Sequence, residues 1–227
     1  MQLINYSEQL KTLWSDVSKF VITTCADRDP SHGYDHMRTV AETALRIYDA
    51  EQVGYNDDKY DIQRLIIIVA LLHDVADHKY DKTGQLHKTV ADFIKSICPD
   101  DYILVGNIID RISFSKEDKI LACGDKLDWQ EVLGDVGSLV RNIVSDADKL
   151  EAIGIIGVTR CIEYCRHICK NIDEKTLLVL VIKHAQEKLL RIKTHYIRTK
   201  TGKRLAEPLH DAMVSEILNM TLNIINK

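Results

Sequence analysis

Between Leu65 and Leu72 the chain reads LIIIVALL, an unbroken apolar run that gives way at once to His73 and Asp74. The run falls far short of the roughly 20 residues that cross a bilayer. Wound as a helix it is apolar on every side, which suits the centre of a packing of helices rather than its surface. The rest of the sequence supplies partners of the same kind. Only three prolines and ten glycines occur, and most segments repeat their apolar positions at three- and four-residue spacing rather than by alternation. The fold class read from this is all-α, a helical bundle.

A first helix is expected from about 6 to 23, with Leu10, Leu13, Trp14, Val17 and Val21 on one side. The breaker ADRDPSHGYDH follows, with Ser31 as the N-cap of a second helix that runs to about Glu51 through Met37, Val40, Ala41, Ala44, Leu45 and Tyr48. After the polar loop VGYNDDKYD the central helix covers about 62 to 75. Further helices are read at 83–97, stopped by Pro99, and at 100–112, 141–170, 173–196 and 205–225. The stretch KEDKILACGDKLDWQEVLGDVG has no clean period and reads as a short helix with loops, a candidate insertion over 116–140. No linker is visible, so residues 1–227 are taken as one domain, with 173–227 packing as C-terminal helices.

Hydrophobic residues make up 45% and charged residues 28%, ordinary usage that disfavours disordered and fibrous classes. A net charge of -4 offers no general attraction to nucleic acid or to an anionic membrane. The first thirty residues lack the basic-then-apolar order of a signal peptide, so a cytoplasmic protein is expected. Six cysteines without CxxC pairs do not form a disulfide framework. Cys161, Cys165 and Cys169 recur every four residues, a stripe that reads as small buried hydrophobes in preference to a metal face.

A central helix that ends in His73 and Asp74 delivers both to the interior or to a pocket opening from it. A buried carboxylate needs a partner, and His beside Asp is a ready pair of metal ligands. More donors stand in SHGYDHMRT, where His32 and His36 can share a helix face, and in NIVSDADKLEAIG, with Asp146 and Asp148. On a continuing third helix Asp77 would project one turn beyond His73, where it could orient a water; as a helix-end carboxylate it needs no such role.

The order His36, His73-Asp74, Asp148 resembles the HD-domain metal-dependent phosphohydrolases. The blocks SHGYDHMRTV, LLHDVADHKY, SDADKLEAIGIIG and EKLLRIKTHYIRTKTGKRLAE together are similar to a bacterial and viral branch of small HD hydrolases that includes nucleoside triphosphate pyrophosphohydrolases. The resemblance covers most of the chain. It implies a single HD-domain helical bundle and one divalent metal ion held by His36, His73, Asp74 and Asp148. Such a mixed N/O set suits Mn²⁺, which is favoured, or Mg²⁺, Co²⁺, Fe²⁺, Zn²⁺ or Ni²⁺. It also implies Asp77 as general base or acid, and His32 as a contact to phosphate or a proton donor to the leaving oxygen; His32 can equally cap its helix.

Lys79 and Lys149 adjoin the ligands and can neutralise phosphate charge or stand solvated. Lys188 and Arg191 belong to a basic block, Lys183 to Arg204, whose only acid is Glu187; with His195 they can meet a triphosphate tail or face solvent. His78 and His87 are weaker candidates, for a second metal. Where the family carries an Arg-His pair after this block, Pro208 and Leu209 precede His210 here, which weakens transfer of substrate specificity to this end.

The function expected is hydrolysis of a small nucleotide, most favourably release of pyrophosphate from a (deoxy)nucleoside triphosphate. A nucleotide monophosphatase, a phosphodiesterase and a non-catalytic nucleotide-binding HD module are the alternatives. A homodimer is compatible with this reading; a membrane or nucleic-acid partner is disfavoured, since no aromatic stacking array accompanies the basic block.

Overall fold

The computed structural model describes residues 6–28, 33–51 and 59–225, and among them all regular structure is helical. The chain divides into two compact units, Met1–Ala147 and Asp148–Lys227. Among the described residues no helix is long and apolar enough to cross a membrane.

The first unit is built round the apolar run. Ser7 caps helix α1 (Glu8–Thr24), its side chain accepting from the Leu10 N–H at 3.3 Å, and Leu10, Val17 and Val21 face inward. Helix α2 (Tyr34–Glu51) buries Met37, Val40, Ala41, Ala44, Leu45 and Tyr48 at the spacing the sequence shows. Helix α3 (Lys59–Leu72) packs against both, and every residue from Leu65 to Leu72 is buried. Each fully buried Leu, Ile or Val contributes on the order of 1.5–3 kcal/mol, so α3 is the most strongly anchored helix of this unit. Helix α4 (Gln85–Ile97) starts after Gly84 at φ 77° and packs on α5 (Tyr102–Ile109), which also meets α3.

Helix α6 (Phe114–Ala122) and the long α7 (Gln130–Glu151) occupy the region read as a short helix with loops. They are joined by an ion pair between Glu117 and Arg141, both fully buried. Arg141 also donates to the Arg111 carbonyl from Nε at 2.9 Å and Nη2 at 2.7 Å, so the buried guanidinium is well satisfied. Gly134, at φ 66°, interrupts α7 near its start.

The second unit holds the end of α7, then α8 (Gly154–Ile168), α9 (Glu174–His184), a π-helical turn (Ala185–Leu189), α10 (Leu190–His195) and α11 (Lys200–Ile225). Helix α11 packs on α8, α9 and α10, burying Ala206, Met213, Ile217 and Met220. The single helix expected over 141–170 is broken, because Gly154 takes φ 81° and α8 restarts from it. A Cβ on Gly157 would come within 2.1 Å of the Ala152 carbonyl oxygen, so the AIGIIG run permits the close turn between α7 and α8. Of the cysteine stripe, Cys161 and Cys165 lie on α8 and are buried, as small hydrophobes are, while Cys169 caps its C-terminus and is half-buried. Burial, and then Cys165, push the Cys161 thiol up to about 12, so it stays neutral at ordinary pH.

Candidate metal centre

The end of α3 is where the chain changes character. The helix stops at Leu72, and His73 to Ala76 form a turn, so the expected continuation of the helix to Val75 and beyond does not occur. The helical spacing that would put Asp77 one turn above His73 is therefore absent. The Asp77 N–H donates to the Asp74 carbonyl at 3.1 Å, and the Asp77 carboxylate accepts from the Lys79 N–H at 2.8 Å. Asp77 is held by its own turn, as Asp commonly is where the backbone leaves a helix.

Immediately before it, three ligand-type side chains come together. His36, in the first turn of α2, is buried, and the His73 side chain is 2% exposed. Asp74 lies between them: its Oδ2 is 3.6 Å from His36 Nε2 and its Oδ1 is 3.8 Å from His73 Nε2. Donor atoms of all three lie within 4.8 Å of one another, and the imidazole centroids are 5.3 Å apart at 60°. These separations are too long for hydrogen bonds among the three and short enough for one ion to bridge them.

The tautomer of His73 suits a ligand. Its Nδ1 lies 2.8 Å from the Ala70 carbonyl, which can only accept, so Nδ1 carries a proton and Nε2, which faces Asp74, is the nitrogen placed to ligate. Two imidazole nitrogens and a carboxylate oxygen form the N/O donor set that divalent first-row metals take. Among the described residues the group comprises His36, His73 and Asp74. The buried Cys25 thiol has its pKa raised, first by burial and further by Asp74, against the lowering effect of Arg28.

Asp148 and Lys149 stand on the last turns of α7, where the second unit begins, and the three-residue group lies wholly in the first. Lys149 is 1% exposed, which removes the solvated alternative for it; Lys79 is exposed and keeps that alternative. Asp146 is fully buried. Lys188 sits in the π-helical turn, and the Arg191 guanidinium lies 5.8 Å over the Tyr196 ring while Nη1 donates to the Glu187 carbonyl at 3.0 Å. The π-turn shifts the register that would align Lys188, Arg191 and His195 on a regular α-helix. His32 and Ser31 lie outside the described residues.

His78 is largely exposed beside Asp77 at 3.4 Å. His87 is engaged by Asp81, whose Oδ2 accepts from the His87 N–H at 2.8 Å and faces its Nδ1 at 3.0 Å. Burial raises the Asp81 carboxyl pKa, but hydrogen bonds from the His87 backbone and ring and the Leu86 backbone outweigh it and hold it below the usual range. Asp81 thus fastens the loop after the candidate ligands to the start of α4. Nothing local in the sequence marks this, since donor and acceptor stand six residues apart across a bend.

Comparison with known proteins agrees with this architecture. No protein-family model matches the chain. The uncharacterized protein YpgQ of Bacillus subtilis (strain 168) is 26% identical over 229 residues, covering 99% of this chain and 96% of that protein. Its crystal structure in complex with ADP superposes with a TM-score of 0.64 at 21% identity, over 95% of this chain and 96% of that one. A Lactobacillus plantarum protein gives a TM-score of 0.71 at 24% identity over 96% of this chain and 99% of that one. An HD-superfamily hydrolase from Bacillus thuringiensis gives 0.62 at 23% identity, over 96% of this chain and all of that one (100%). The chain has the all-α HD-domain fold that its motif order implies.

Proposed function

We propose that this HD-fold chain is a divalent-metal-dependent phosphohydrolase acting on small nucleotides, with release of pyrophosphate from a (deoxy)nucleoside triphosphate as the favoured reaction. The observation that carries the proposal is the gathering of His36, His73 and Asp74, with donor atoms within 4.8 Å, at the buried end of the central helix. Nucleotide binding is supported by YpgQ, similar along nearly its whole length, whose structure contains ADP. Residues 1–227 are read as one HD domain.

His36, His73 and Asp74 would hold the metal, with Asp148 assigned as fourth ligand by the motif order, and Mn²⁺ is the favoured ion. When bound, such an ion lowers the pKa of water and neutralises phosphate charge. The protein's own groups do the rest. Asp77, three residues past Asp74 and restrained by the Lys79 N–H, orients the attacking water and takes its proton. Lys79, Lys149, Lys188 and Arg191 are assigned to the phosphates, and His32 to the leaving oxygen.

The deciding experiment is a panel of nucleoside mono-, di- and triphosphates and cyclic nucleotides incubated with Mn²⁺, Mg²⁺ or Co²⁺, with phosphate and pyrophosphate measured separately. Pyrophosphate with nucleoside monophosphate is the expected product pair. Phosphate alone would make the chain a phosphatase, cyclic-nucleotide opening a phosphodiesterase, and binding without turnover a nucleotide-sensing module.

A further inference from the structure

The turn that carries Asp74 is held from outside by a residue with no place in the motif. Arg28 lies just beyond α1, and its guanidinium reaches a segment 46 residues further on. Nη1 donates to the Asp74 carbonyl at 2.7 Å and Nη2 donates to the Val75 carbonyl. The same guanidinium sits 4.3 Å over the Tyr80 ring. Between these anchor points the Asp74 carbonyl accepts from the Asp77 N–H at 3.1 Å, and the Tyr80 N–H donates to the Asp77 carbonyl at 2.9 Å. One cation is therefore fastened at both ends of the segment 74–80, which contains Asp74 and Asp77.

The physical reason is that α3 ends at Leu72. Carbonyls beyond a helix end lose their regular N–H partners, and two of them accept from one fork here. A planar guanidinium presents parallel donors to two adjacent carbonyls and a face to an aromatic ring at the same time, which an ammonium does not. The backbone of Asp74 is thereby fixed, and with it the place of its carboxylate between the two imidazoles. We infer that Arg28 is a positioning residue for the metal-ligand turn: it sets metal affinity without touching the metal. This rests on the reading of His36, His73 and Asp74 as metal ligands.

The test uses the full chain and Mn²⁺ alone, with free Mn²⁺ followed by electron paramagnetic resonance. Loss of a partner that orients a ligand costs about 10–100-fold in metal affinity. Arg28→Gln is expected to weaken Mn²⁺ binding by that factor, and Arg28→Lys to recover only part of it. A purely structural Arg28 would lower the melting temperature of the metal-free protein and leave Mn²⁺ affinity of the folded form unchanged; that result overturns the inference. Tyr80→Leu, which removes the ring and keeps the cation, should weaken binding several-fold if the Arg28 variants do not fold, and unaltered affinity there overturns it too. Asp74→Ala separates the two readings. If it binds Mn²⁺ like the wild type, the metal assignment is wrong; if it alone loses the ion while Arg28→Gln keeps it, only the role of Arg28 falls.

Discussion

A histidine at a helix end can be a cap, a core side chain or a ligand, and the setting of both ring nitrogens of His73 fits the ligand. With Nδ1 committed to the Ala70 carbonyl, Nε2 is left facing Asp74, with the His36 ring 5.3 Å away. Binding of Mn²⁺ at 100 times its dissociation constant would stabilise the fold by about 2.7 kcal/mol. A domain of this size gains ~2–4 °C per kcal/mol, so differential scanning fluorimetry should record a rise of roughly 5–10 °C. Asp74→Ala should abolish that rise together with turnover. Asp77→Asn should keep the rise and slow hydrolysis at least about a hundredfold, the contribution expected of a positioned proton acceptor. Unchanged kcat would leave Asp77 with the turn-forming role its hydrogen bond to Lys79 already gives it. His73 and Asp74 stand out in the sequence because they interrupt an apolar run, whereas the gathering of His36 beside them was expected from the motif order and not from its polar surroundings. The setting of Asp77 was not, since helical spacing says nothing once the helix has stopped at Leu72.

Among the elements, the body of α3 was readable from eight successive apolar side chains, though its end at Leu72 was not, and its neighbours were readable from their spacing. The break between α7 and α8 was not, although its cause is local. An apolar periodic stretch with scattered glycines reads as one helix, whereas the positive φ of Gly154 and the approach of Gly157 to the Ala152 carbonyl are facts of backbone geometry that periodicity does not carry. Gly157→Ala should force that backbone apart and destabilise by about 1–3 kcal/mol, measurable as a shift in urea midpoint with unchanged m. Downstream on α8, the thiol of Cys161 supplies a chemical check. With its pKa pushed up to about 12 by burial, it is neutral near pH 8 and should resist iodoacetamide in the folded protein, while exposed Cys123 is alkylated first. The sign of its pH linkage follows. Stability from this thiol is intact below its unfolded pKa and is lost as the pH climbs from about 9 towards 12. Cys161→Ala should flatten that part of an alkaline denaturation curve.

For the whole molecule, a net charge of -4 means that an anionic nucleotide gains nothing from the mean field and must be drawn in by local cations. The block from Lys183 to Arg204 is the richest such source in the sequence, and its setting limits how it can be tested. Removing everything after Thr199 would delete α11 and strip Ala206, Met213, Ile217 and Met220 from the second unit, so loss of activity would report unfolding. Single charges are the sounder probe. Lys188, in the π-helical turn, and Arg191, stacked on the buried Tyr196, are the residues assigned to phosphate. If they read a triphosphate tail, Lys188→Ala and Arg191→Ala should raise KM for triphosphates more than for monophosphates and steepen neither substrate's salt dependence. Equal effects on both substrates would assign the pair to the packing of α10 against α11, and the triphosphate would then need its cations from Lys79 and Lys149.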